Sequence, residues 1–189
     1  KYLSDLAREQ GIEPKKLWRP PLPQKLELET MLQAEMPPAE LGIPVLLGLV
    51  DDPEYQRQFP LYVDLLGLHN FLIVGSAGSG KSTLLRTLLY SLVSRYSSEE
   101  VNFYLVDLSD RALASYSRLP HCGAYLTERQ TSDLSRLMDL IHQIIAQRKA
   151  LFAEARVSSF EAYRASHPLP LILFVIDGYT KIKGLEGGE

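Results

Sequence analysis

Gly75-Ser-Ala-Gly-Ser-Gly-Lys81-Ser82-Thr83 places three glycines directly ahead of a lysine and two hydroxyl side chains. That spacing matches the phosphate-cradling loop of proteins that bind nucleoside triphosphates. Gly75, Gly78 and Gly80 let the backbone turn tightly and aim its N–H groups inward without a side chain in the way. The positive end of the following helix adds to that field. Lys81 is expected to reach the β- and γ-phosphates as a point charge, the Ser82 hydroxyl to ligate Mg²⁺, and Thr83 to support the α-phosphate region. A nucleoside triphosphate with Mg²⁺ is the expected ligand.

A second signal ends the apolar run Leu171-Ile-Leu-Phe-Val-Ile176 at Asp177. A carboxylate there is costly to bury unless it is paired or sits near a metal, so Asp177 is expected to hold the hydration shell of the magnesium. In many ATPases with this loop the next residue is an acid that polarises the attacking water. Here it is Gly178, then Tyr179 and Thr180, with no acid before Glu186. Binding needs the loop and the metal, whereas fast turnover also needs an oriented water. The expectation is therefore binding with weak hydrolysis. Asp107 ends Val101-Asn-Phe-Tyr-Leu-Val106 and is placed near the same edge as Asp177. Two readings of it are open, a cap at the strand end and a catalytic group beside Lys81 and Asp177. His121 and Cys122 lack any second ligand at a usable spacing, so zinc is not expected. His121 reads as a loop residue and Cys122 as a small buried hydrophobe.

These groups need elements to position them. The apolar run Phe71-Leu-Ile-Val74 ahead of the loop reads as the first core strand, covered on both faces. Residues 81 to about 96 carry Leu84, Leu85, Leu88, Leu89, Leu92 and Val93, the broad apolar face of a helix lying on a sheet. Strands are expected over 45–50, 61–65, 101–106 and 171–176. The long periodic run 131–153 reads as a helix capped at Thr131 or Ser132 with Asp133 in its first turn. A shorter helix is expected near Phe160 and Tyr163. The Arg148/Lys149 pair lies late in the long helix, where positive charge suits a helix end. Strands alternating with helices predict an α/β domain of three layers, a mainly parallel sheet with helices on both faces, with its ligand at the carboxyl ends of the strands.

Ahead of this core, Leu17-Trp18-Arg19-Pro20-Pro21-Leu22-Pro23 carries the single tryptophan in a stretch too rich in proline for helix. We divide the chain into a lead-in over 1–36, with a short helix and this segment, and the α/β domain over 37–189. Trp18, with Pro20, Pro21 and Pro23, either covers the flank of its own domain or docks as an anchor on a neighbouring one. The chain has 189 residues and a formal charge of −3. That balance offers no electrostatic footprint for nucleic acid. One cysteine excludes an internal disulfide, and no apolar run approaches the roughly 20 residues that cross a bilayer. The start at Lys1 and the end at Gly187-Gly188-Glu189 lead us to expect a piece of a longer polypeptide.

Trp18-Arg-Pro-Pro-Leu-Pro23, Leu47-Gly-Leu-Val-Asp51-Asp52-Pro53, Gln56-Arg57-Gln58, Gly75–Thr83, Asp107-Leu108, Leu119-Pro120-His121-Cys122-Gly123 and Phe174-Val-Ile-Asp177-Gly178 occur in an order that resembles the tandem ATPase domains of the EccC/EssC proteins. Those are the FtsK/SpoIIIE-like motors of type VII secretion systems. The resemblance implies a RecA/FtsK-like P-loop NTPase fold. It also implies a cytoplasmic domain of a membrane-anchored chain that continues past residue 189. Nucleotide contacts fall on Gly80, Lys81, Ser82 and Thr83, and the magnesium-side acid on Asp177. Gly178 resembles the degenerate second or third domain of such proteins, which binds ATP and hydrolyses it poorly. Implied partners are adjacent ATPase domains of the same chain, a WXG-type secretion substrate, and further copies in a homo-oligomer of the full-length protein. A hydrolytically competent motor domain and a DNA-translocating relative are the alternatives; the acidic balance counts against the second.

Overall fold

Alternation along one strand organises the domain. In the computed structural model, which describes residues 20–33, 42–68 and 70–184, β3 (Val101–Asp107) is the middle strand of a parallel three-stranded sheet. It lies between β4 (Cys122–Thr127) and β5 (Leu171–Asp177), in the order β4-β3-β5. Val101, Phe103 and Leu105 point to one face. There they join Leu171, Leu173 and Val175 against Leu88, Leu89 and Leu92 of helix α2 (Lys81–Val93). Tyr104 and Val106 point to the other face. There they meet Ala124, Leu126 and Ile176, and Leu134, Leu137 and Ile141 of helix α3 (Leu134–Glu154). Helix, sheet, helix is the expected three-layer arrangement, and it follows from a period of two in a strand buried on both sides.

An antiparallel hairpin completes the core. β1 (Pro44–Asp52) pairs with β2 (Arg57–Asp64), and their register shifts between Leu46 and Gly48. At that shift the Leu46 N–H donates to the buried Ser91 Oγ at 2.8 Å, which ties the hairpin to α2. Val45 and Ile43 enter the same cluster as Leu88 and Phe103. The sheet system is thus mixed, with parallel and antiparallel parts. A one-turn helix α1 (Leu28–Leu32) packs near the end of α2, where Arg95 donates to the Leu32 carbonyl at 3.0 Å. Another short helix, α4 (Phe160–Arg164), starts at Ser159, whose hydroxyl accepts from the Ala162 N–H.

Several expectations need correction. Residues 71–74 form no strand: Leu72 is 76% and Val74 83% exposed, and no strand among the described residues pairs with them. An apolar run becomes a strand only where a neighbouring edge takes up its N–H and C=O groups. β4 escaped the reading because Cys122-Gly-Ala-Tyr-Leu-Thr127 is short and weakly alternating, and its glycine fits under the Tyr104 ring. α3 begins at Leu134 rather than 131. The segment 128–133 is a pair of 3-10 turns, and Asp133 makes no side-chain cap. Arg148 does not serve a helix end, since α3 runs on to Glu154; it donates to the Pro170 carbonyl at 2.7 Å and lies over Phe160. His121 does lie in the turn before β4, where it is buried and bonded through Nε2 to the Tyr96 carbonyl at 2.7 Å. Cys122 is half-buried at the start of β4. Trp18 lies outside the described residues. No helix among the described residues is long and apolar enough to cross a membrane.

Candidate functional site

The loop 75–80 is held at both ends and open in the middle. Ser79 N–H donates to the Ser76 carbonyl, and Gly75 packs against the Ser79 side chain. Gly80 caps α2 at φ 90°, a left-handed conformation that an L side chain resists. Helical bonding begins there, with Leu84 N–H on the Gly80 carbonyl at 2.8 Å. A Cβ on Gly78 or Gly80 would meet nothing within 4 Å, so these positions face open space. The unpaired N–H groups of the first turn of α2 point toward that space, where an anion gains most from them.

Lys81 curls back over the loop, its Nζ donating to the carbonyls of Gly75 at 2.9 Å and Ser76 at 2.7 Å. The ammonium is thereby held at the loop rather than swinging in solvent. One residue on, the Ser82 hydroxyl donates to Asp177 Oδ2 at 2.7 Å across a sequence separation of 95 residues. Asp177 is only 4% exposed, and Ser82 is half-buried. A hydroxyl and a carboxylate in contact at the sheltered base of a phosphate-type loop are hard oxygen donors, the kind Mg²⁺ prefers. Among the described residues no cluster of three His, Cys, Asp or Glu offers an alternative metal site. Thr83 is exposed on the first turn of α2.

The parallel register sets Asp107 directly beside Asp177, both at the carboxyl ends of their strands. Their environments differ. Asp107 is 1% exposed and its oxygens are taken: Oδ2 accepts from Leu113 N–H at 2.9 Å and the Tyr125 hydroxyl at 3.3 Å, and Oδ1 from Ser109 N–H at 3.3 Å. These bonds wrap the segment 108–113 around the carboxylate. Burial, aided by the Asp107 charge and hydrogen bond, raises the Tyr125 phenol above its ordinary value. Tyr125 was not singled out from sequence, where a lone tyrosine in an unrecognised strand carries no signal.

Gly178 adopts φ 84°. A Cβ there would stand 2.8 Å from Ser109 Oγ and 3.2 Å from the Leu108 carbonyl carbon. Leu108 cannot give way freely, because its N–H bonds the Asp177 carbonyl at 2.9 Å. The position after Asp177 is therefore closed to a side chain by its backbone and by its neighbours. Of the docking group, Pro20, Pro21 and Pro23 are exposed, and the Pro20 carbonyl accepts from Gln58 Nε2 at 2.8 Å.

The FtsK/SpoIIIE family model matches residues 46–171. The chain is 35% identical over 175 residues to the ESX-4 secretion system protein EccC4 of Mycobacterium tuberculosis, covering 88% of this chain and 14% of that protein. It is 28% identical over 177 residues to the type VII secretion system protein EssC of Staphylococcus aureus, covering 90% and 12%. The cytoplasmic domain of the Thermomonospora curvata type VII secretion ATPase EccC superposes with a TM-score of 0.79 at 29% identity, over 91% of this chain and 22% of that one. EssC (ATPases 2 and 3) from Geobacillus thermodenitrificans gives 0.74 at 31% identity, over 87% and 31%. The chain spans a small fraction, 12–14%, of the full-length relatives just named. By family match and by superposition alike, this chain belongs to the FtsK/SpoIIIE family as an ATPase domain of the EccC/EssC type.

Proposed function

We propose that this domain binds Mg-ATP, hydrolyses it slowly, and acts as a regulatory module of a type VII secretion motor. The observation that carries this reading is the contrast at the ends of β5 and β3. Ser82 and Asp177 form a ready pair of oxygen ligands, while Gly178 leaves neither a carboxylate nor room for one beside them.

Each residue then has a separate task. The loop N–H groups and the N-terminus of α2 hold the phosphates, and Lys81 turns from the Gly75 and Ser76 carbonyls toward the β- and γ-phosphates. Ser82 would hold Mg²⁺ directly and Asp177 would hold it through its hydration shell, where the ion neutralises the charge of the phosphate oxygens. No acid adjoins Asp177 to orient a water, and Asp107 is committed to the 108–113 segment, so slow turnover follows. Asp107 in this reading supports the site rather than acting on the nucleotide.

As with the EccC and EssC relatives, the domain would work in the cytoplasm within a membrane-anchored chain, next to further ATPase domains. One of the relatives, EccC ATPases 2 and 3 of Thermomonospora curvata, was solved in complex with a signal sequence peptide. A secretion substrate of the WXG type is the partner we assign by that analogy, and the full-length protein is proposed to oligomerise. The lead-in with Trp18, Pro20, Pro21 and Pro23 is proposed as the anchor to a neighbouring domain.

Equilibrium binding of ATP with and without Mg²⁺, followed by single-turnover hydrolysis, tests the core of this reading. Tight Mg-dependent binding with turnover far below the roughly 1–10³ s⁻¹ of working enzymes is expected. A brisk rate that depends on Asp177 would instead make this a motor domain in its own right.

A further inference from the structure

A polar cavity lies at the carboxyl ends of β3 and β4. It has a volume of about 260 Å³ and is lined by Asp107, Ser109, Arg111, Thr127, Glu128 and Arg129. Its carboxylates are already satisfied. Asp107 is engaged by Leu113, Ser109 and Tyr125, and Glu128 pairs with Lys181 at 3.0 Å. Its guanidiniums are not. Among the described residues, neither the Arg111 nor the Arg129 guanidinium makes a hydrogen bond or ion pair. Two exposed forked cations with no hydrogen-bond partner among the described residues thus line one cavity, beside two carboxylates whose own hydrogen bonds are made elsewhere.

The placement of Arg111 is enforced. Its φ is 56°, in the left-handed region that non-glycine residues seldom occupy. Asp107 grips the chain on either side of it, at Ser109 N–H and Leu113 N–H, and so holds the bend. Strained residues of this kind persist where the surroundings over-determine them, and they cluster at ligand sites.

We infer that this cavity binds a small oxyanion, a carboxylate or a phosphate, between the guanidiniums of Arg111 and Arg129. A guanidinium offers two parallel N–H donors to such a group, and a charge-assisted pair of this kind is stronger than a neutral hydrogen bond. The site is separate from the phosphate loop. The first turn of α2 contacts β5 through Ser82 and Asp177, and β3 lies one strand further on, so the cavity is displaced from that contact by one to two strand spacings, about 5–10 Å. It is smaller than the roughly 300–1,000 Å³ of ordinary cofactor pockets. It therefore suits an acidic side chain of a bound peptide or a free phosphate, not a second nucleotide.

The test is a titration at constant ionic strength with two probes, inorganic phosphate and glutarate, read on the side-chain Nε–H signals of Arg111 and Arg129. It is run on the unmodified chain and on Lys81→Ala, which disables the phosphate loop. Saturable shifts of both arginine signals are expected in both proteins. Arg111→Gln and Arg129→Gln should each weaken the binding about tenfold, and Arg129→Gln, lying outside the strained bend, keeps the test available if Arg111→Gln fails to fold. Tighter binding of glutarate assigns a carboxylate-bearing protein partner, and tighter binding of phosphate assigns the free anion. The inference is overturned if neither probe saturates the arginine signals, or if Lys81→Ala abolishes the shifts while Arg129→Gln leaves them intact. The outcome is independent of ATP binding, so its failure and that of the proposed function are distinguishable.

Discussion

Gly178 and Ser109 are in mutual contact across the ends of β5 and β3, so close that a Cβ on residue 178 would stand 2.8 Å from the Ser109 hydroxyl. With φ at 84°, that contact makes the glycine a structural requirement of this domain as well as a missing acid. Adding a carboxylate at 178 to orient a water is thereby disfavoured. Gly178→Glu is expected to lower stability by about 2 kcal/mol, roughly 4–8 °C in a domain of this size, without raising the single-turnover rate. Thermal melts and hydrolysis measured together check this; a faster rate with an unchanged melt would refute it.

Lys81→Ala removes the one ammonium held at the loop. ATP affinity is expected to fall at least about tenfold, because a charge-assisted contact to phosphate is lost in a partly sheltered site. The melting temperature without nucleotide should change little, since Lys81 bonds only the exposed carbonyls of Gly75 and Ser76. Isothermal titration on the variant decides it.

Asp107→Asn separates the two readings of that carboxylate. Its three acceptor bonds hold the 108–113 segment, so exchanging an oxygen for an amide leaves a buried donor facing other donors. A loss of about 1–3 kcal/mol is expected with ATP affinity largely retained. A variant of unchanged stability that had lost its residual hydrolysis would show a catalytic role instead.

The phenols of Tyr96, Tyr116 and Tyr125 are all raised above their ordinary value of about 10, chiefly by burial. A group whose pKa is higher in the folded state holds its proton more tightly there. Its contribution to stability is full below about pH 10 and is lost as pH climbs through the folded value. Denaturation midpoints should be steady from neutral pH to about pH 9 and fall above pH 10, with the three phenols ionising late in an absorbance titration. Tyr125→Phe should flatten part of that fall.

Trp18→Ala tests the lead-in. In a fragment that includes the preceding domain, the substitution is expected to weaken docking between the two domains by roughly tenfold or more while leaving the melt of this domain nearly intact. A several-degree loss of stability in the isolated domain with docking unchanged would place the indole on its own core.

The glycine-rich turn ahead of a helix, the place of Asp177 at a strand end and the layered α/β architecture were legible in the residues themselves. Each is encoded locally: a glycine spacing, an acid after an apolar run, or a helical period of leucines that must face a sheet. The strand at 122–127 and the true start of α3 were not legible, because β4 owes its ladder to β3 and the turn at 128–133 owes its shape to the end of β4. The run 71–74 failed in the opposite direction: hydrophobicity promised a strand, yet strands are made by partners. Sequence likewise placed Asp107 and Asp177 at one edge but could not tell them apart. Only the tertiary structure decided that one bonds Ser82 in the first turn of α2 while the other is consumed by the backbone of its own loop. The same fold turned Gly178 from an absent acid into a site with no space for one. Residue types and spacing specify which groups exist, whereas packing between distant segments determines which of their lone pairs and approaches are left free.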